Sequence, residues 1–173
     1  MRRIPREELN PRSESDDDKS ILTDRIRIEH IHEQKNNEQL QLEYKNMMAV
    51  CPGYLGGQTH CDRSKGHTSV TLDPYDPRLE QSISYSFKDG AIKSSKPDWN
   101  HELTDRSILN LNNPGLKNAR KNVMDEIVRR MKKWTRAELE KELERSYQKN
   151  RNGQLCEYAG VIRYFIRKRL NRI

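Results

Sequence analysis

Between Arg25 and Gly66, three polar groups stand far apart in sequence, each at the edge of a short element. No other stretch restricts the fold as much. It reads RIRIEHIHEQ, then EYKNMMAVC, then HCDRSKG. Over 21–31, Ile26 and Ile28 alternate with Arg25 and Arg27, which predicts a strand with one buried face. Side chains alternate along a strand, so its end sends Glu29 and His30 to opposite faces. A polar connection over 32–42 leads to an apolar run that holds Asn46 and ends at Cys51. A glycine-rich segment then reaches Cys61-Asp62 and Lys65-Gly66. This layout suits one-metal phosphodiester hydrolysis, which needs a cation on the phosphate, a base for water and a frame holding both.

Six segments carry a resemblance: RIEH (27–30), Gln34, EYKNMMAVC (43–51), HCDRSKG (60–66), TLDPYDP (71–77) and ILNLNN (108–113). Together they resemble the HNH (ββα-metal) endonucleases. More narrowly, they resemble the HNH family that includes the nuclease partners of ATPases in Septu-type and some retron anti-phage systems. The resemblance implies roles for particular residues. His30 would be the general base, and imidazole suits proton transfer near neutral pH. Glu29 and Asp62 would ligate one Mg²⁺ or Mn²⁺, hard cations that prefer carboxylate oxygen. His60 is the rival to Asp62. Asn46 would hydrogen-bond loop backbone and fix the His30 ring; on its own terms it reads as a turn or cap residue. His32 reads as a bystander. Lys65 is a candidate for a substrate phosphate or an ordinary surface lysine.

Such cores often carry a structural zinc held by two Cys pairs, and tetrahedral sulfur ligation stabilises small folds that have little core. Here only Cys51 and Cys61 stand in place. His60 or His67 would complete a set at spacings that fit no established pattern. In the family a Cys-x-x-Cys pair commonly precedes a Met-x-Arg-Ile segment, and this chain begins Met1-Arg2-Arg3-Ile4. The expectation is an upstream segment that would supply that pair and complete a Zn²⁺ site.

Composition bears on stability and on partners. Leu, Ile, Val and Phe make up about a fifth of the 173 residues, near the range where a chain struggles to bury enough surface. Residues 117–173 carry 17 Lys and Arg against 7 Asp and Glu, a balance of +10, while the chain as a whole carries +7. A basic C-terminal part suits nucleic acid, DNA before RNA, or is simply a solvated helix face. Three cysteines argue against a disulfide framework. No apolar run is long enough to span a bilayer and no signal-peptide core is present, so a cytoplasmic protein is expected.

The expected class is α+β: a ββα-metal core with an added β-hairpin and a C-terminal helical hairpin. Residues 1–20 read as an exposed arm, 21–113 as the core with its hairpin, and 114–173 as basic helices. A short strand is expected over 69–76. A hairpin is expected across Lys88-Asp89-Gly90, with Tyr85 and Phe87 packing or stacking. Lys96-Pro97 should break the chain, and a short helix over 100–111 should bury Ile108, Leu109 and Leu111. One long helix is expected from Leu116 to about Tyr147, with a stripe of Leu116, Ala119, Val123, Ile127, Met131 and Trp134. A second is expected over 155–170.

The resulting expectation is a metal-dependent HNH endonuclease of anti-phage type, with an ABC-type ATPase partner implied by the resemblance alone. The alternative is a non-catalytic nucleic-acid-binding or ATPase-interacting module that kept the fold. A zinc-finger-like regulator using His60, Cys61 and His67 fits the spacings poorly.

Overall fold

A computed structural model of the chain describes residues 27–31, 38–51, 53–55, 57–66, 68–151 and 153–172. The expected arm at 1–20, the start of the first strand, Gln34, His32 and His67 lie outside them. The described residues mix short antiparallel strand pairs with helices, an α+β arrangement.

The first pair joins β1 (Arg27–His30) to β2 (Met47–Val50), in a register running from Arg27 opposite Val50 to His30 opposite Met47. β3 (Tyr54–Leu55) and β4 (Gln58–Thr59) form a minimal hairpin, and α1 (Asp62–Lys65) follows at once. The short helix α2 (Pro77–Ser82) is capped by Asp76, whose carboxylate accepts from Arg78 N. The expected Asp-Gly hairpin is present as β5 (Ile83–Tyr85) and β6 (Ile92–Ser94). Gly90 holds φ +74° in its turn, and a Cβ there would fall 2.1 Å from the Lys117 carbonyl oxygen. Only glycine fits that approach.

Two helical expectations and one strand change. The chain does break at Lys96-Pro97, between the end of β6 and α3 (Pro97–Thr104), which Pro97 opens at a position where its missing N–H costs nothing. That helix buries Trp99 and Leu103 and stops before Ile108, Leu109 and Leu111, which are half-buried in the turns that follow. No strand forms over 69–76. Its backbone N–H groups at Thr71 and Leu72 instead donate to the buried Glu102 carboxylate, at 2.7 and 2.9 Å, so they have no ladder to join. The long helix is two. α4 (Pro114–Met131) ends, and α5 (Arg136–Arg145) starts on Thr135 with a reciprocal cap between Thr135 and Glu138. T-x-x-E at 135–138 is that signature, written into the sequence inside an otherwise continuous apolar stripe. Thr135→Ala is therefore expected to cost about 1 kcal/mol in urea unfolding; an unchanged midpoint would show that the break does not depend on the cap.

α6 (Ala159–Leu170) packs against α4 and α5, so the C-terminal unit is three helices rather than a hairpin. Met124, Ile127, Met131, Leu139, Val161, Phe165 and Ile166 form the main core. A second, smaller core gathers Leu72, Trp99 and Leu103. Among the described residues before Leu72, by contrast, no large apolar side chain is buried, and Ile28, expected on a buried face, is 63% exposed. Polar groups hold that half instead. None of the described helices is long and apolar enough to cross a membrane.

Candidate metal and acid–base site

The module at 27–66 is clamped to the turns after α3 by directed hydrogen bonds. Cys61 N donates to Leu109 O at 2.8 Å, Asn110 Nδ2 to Thr59 O at 2.7 Å, and Ser64 Oγ to Arg106 O at 2.6 Å. These bonds fix the β4–α1 segment to those turns, and the Lys65–Glu29 ion pair joins α1 to β1 in the first cluster. Glu29 comes from β1, and Asp62 and Lys65 from the two ends of α1. The Glu29 and Asp62 carboxyls lie within hydrogen-bonding reach of each other. Lys65 Nζ stands 2.5 Å from Glu29 Oε1 with only 6% of its side chain exposed.

Lys65 is thus no surface lysine, and its ammonium is engaged by a carboxylate rather than presented to a phosphate. A buried ammonium needs such a partner, because desolvating an unpaired charge costs several kcal/mol. Burial raises the Glu29 pKa above the usual carboxylate value, and the neighbouring Asp62 adds to the rise while Lys65 opposes it. Two carboxyls held together this way are an arrangement that a cation stabilises.

His30 follows Glu29 on β1, so its side chain takes the other face of the strand. Its Nε2 is 3.0 Å from the Gln41 carbonyl oxygen. A carbonyl only accepts, so that contact puts a proton on Nε2. The loop carrying Gln41 is tied down in turn. Asn46, 4% exposed, donates from Nδ2 to Leu40 O at 3.1 Å, and its own carbonyl accepts from Ile31 N at 2.9 Å. Asn46 therefore bears on the ring through the loop backbone.

The second cluster joins Cys51 to residues across the β3–β4 hairpin. Gly53, at φ +71°, accepts from His60 N at 2.8 Å, and a Cβ on Gly53 would fall 2.5 Å from the His60 carbonyl oxygen. This tight turn brings His60 Nδ1 to 3.2 Å from Cys61 Sγ and 3.9 Å from Cys51 Sγ. All three ligand atoms lie within 4.8 Å of one another. Bonds of about 2.3 Å to sulfur and 2.0 Å to nitrogen at tetrahedral angles put the ligands of a zinc ion roughly 3.5–3.8 Å apart, so these three atoms are close enough to share one metal ion and are one ligand short of a closed structural zinc site. His60 thus stands with the sulfurs, away from the role of rival to Asp62. The spacing left His60 and His67 as equal candidates to join Cys51 and Cys61; the Gly53 turn, which folds His60 back over Cys51, favours His60 among the described residues.

The two thiols divide their protons unevenly. The Cys51 pKa is lowered to about 4, first by a hydrogen bond from the Cys61 thiol and next by His60, against the opposing effect of burial. Cys61 is pushed up, by its bond to the Cys51 thiolate and by burial. At pH 6 Cys51 is then thiolate while Cys61 remains a thiol, and iodoacetamide should alkylate Cys51 faster. Mass spectrometry of the digest reads the order. Equal rates at the two sites would contradict the assignment, and added Zn²⁺ should protect both.

No model of a known protein family matches this chain, and no curated protein matches it at a significant level.

Proposed function

We propose that the chain is a metal-dependent endonuclease of the HNH type that hydrolyses phosphodiester bonds in nucleic acid, DNA before RNA, in anti-phage defence. The observation that carries this reading is the meeting of Glu29 and Asp62, from β1 and α1, with His30 next to Glu29 in the same strand and its ring held by a backbone carbonyl. The carboxyl pair offers hard oxygen ligands of the kind Mg²⁺ or Mn²⁺ takes. Bound there, the cation would supply Lewis-acid stabilisation of charge on the phosphate and leaving oxygen.

The rest is the work of this chain's own groups. His30 accepts the proton of the attacking water, and Gln41 O holds its ring in place. Asn46 is a positioning residue, acting through the loop it ties. Lys65 supplies part of the positive charge that two adjacent carboxyls need and holds Glu29 in place. The Cys51–His60–Cys61 set would hold a structural Zn²⁺ in the region where no large apolar side chain is buried among the described residues.

The test is cleavage of plasmid DNA and of tRNA by the purified chain with Mg²⁺ or Mn²⁺, with and without EDTA. Cleavage that requires the cation supports the reading and identifies the substrate class. Binding of nucleic acid without cleavage of either substrate, also with an ABC-type ATPase partner present, would favour a binding module.

A further inference from the structure

Away from both clusters, the Phe87 turn after β5 meets the C-terminal turns of α4 and α6 around a groove of about 440 Å³. Its floor is apolar: Phe87, 48% exposed, packs edge-on to Phe165 at 6.1 Å between ring centres. Lys132, Lys168, Arg169 and Arg172 line it, and no acidic residue does. Elsewhere on the C-terminal helices many cations are spent on carboxylates. Arg129 pairs with Glu126, Arg136 with Glu140, and Arg163 and Arg167 with Glu80. None of the four groove cations has a carboxylate partner among the described residues. Two helix C-termini contribute a negative field of only about half a charge each, so they offset a small part of four full positive charges.

A cationic rim calls for a polyanion, and an exposed aromatic floor calls for a flat apolar partner. A duplex satisfies the first but keeps its bases stacked inside. A single strand satisfies both, with phosphates on the cations and a base against the ring. We infer that this groove binds single-stranded nucleic acid, with Lys132, Lys168, Arg169 and Arg172 on the phosphates and Phe87 against a base. The inference goes beyond hydrolysis and does not rest on it, because binding can be read while cleavage is silent.

Fluorescence anisotropy of labelled oligothymidylate, oligouridylate and a duplex, in EDTA over a series of KCl concentrations, tests it. A single strand should bind more tightly than the duplex. Arg169→Gln with Arg172→Gln, both exposed, should reduce the slope of log K against log salt by roughly 1.4, about 0.7 for each single-strand phosphate no longer neutralised. Phe87→Ala should weaken single-strand binding about tenfold and leave duplex binding unchanged. Lys141→Gln with Arg151→Gln removes the same charge elsewhere on the exposed surface and should leave the slope unchanged. Three outcomes would overturn the proposal: equal affinity for strand and duplex, equal loss from both charge pairs, or capture of an acidic peptide or phosphatidylserine vesicles that is sensitive to the groove variants while oligonucleotide binding is not.

Discussion

His30→Ala is expected to lower Mg²⁺- or Mn²⁺-dependent cleavage by about 10²–10⁴-fold, the range a positioned acid–base group contributes. The fold should barely notice. His30 is half-buried and its bond to Gln41 O is an ordinary hydrogen bond, so a loss near 1 kcal/mol would move the melting midpoint by about 2–4 °C. Asn46→Ala should produce a different pattern. It frees the loop that holds the His30 ring, so the pH profile of cleavage should shift along with its rate, because the loop carbonyl no longer holds the ring. A His30→Ala protein that cleaves at the wild-type rate would remove histidine from the mechanism. Cleavage by the wild type in EDTA would remove the metal.

The largest effect on stability is expected at Arg120. This α4 residue is 6% exposed and has no carboxylate partner among the described residues. Its Nε donates to Gly90 O at 2.7 Å, and its Nη2 to Leu111 O at 2.6 Å and Asn112 Oδ1 at 3.3 Å. Asn112 in turn bonds both N and O of Ile92, so one guanidinium ties the β5–β6 hairpin and the turns after α3 to the long helix. Burial lowers the Arg120 pKa, yet guanidinium stays charged and needs those acceptors. Arg120→Ala leaves buried carbonyls unsatisfied and should cost about 3 kcal/mol in denaturant unfolding, or roughly 6–12 °C in melting midpoint. Arg120→Lys should recover little, since an ammonium cannot reproduce the fork. A loss under about 1 kcal/mol for the Ala variant, or full recovery by Lys, would show that the hairpin is held by its apolar packing instead.

Elements whose signal is local were legible in the residues. The Asp89-Gly90 turn flanked by alternation became β5 and β6, and of the expected helical stripe Ile127 and Met131 are buried in the main core with Val123 and Trp134 packed against it, joined by Met124, which the stripe left out. The capping box at Thr135 and Glu138 was equally local. It marks the point where the helix stops, which a periodic stripe does not report. Local pattern also put Glu29 and His30 on opposite faces of one strand.

Partners were another matter. Lys65, Arg120, His60 and Glu102 all carry the polar side chains that composition assigns to a surface, and the fold buries each of them. Burial of a polar group is decided by the donor or acceptor that meets it, and those partners lie many residues away: Glu29 for Lys65, Gly90 for Arg120, Thr71 and Leu72 for Glu102. The residues of this chain therefore determined by themselves its short elements and the chemistry they could carry. The tertiary structure alone decided which of those groups meet, because among the described residues before Leu72, where the candidate site stands, directed bonds across long loops rather than buried large apolar side chains hold the chain together.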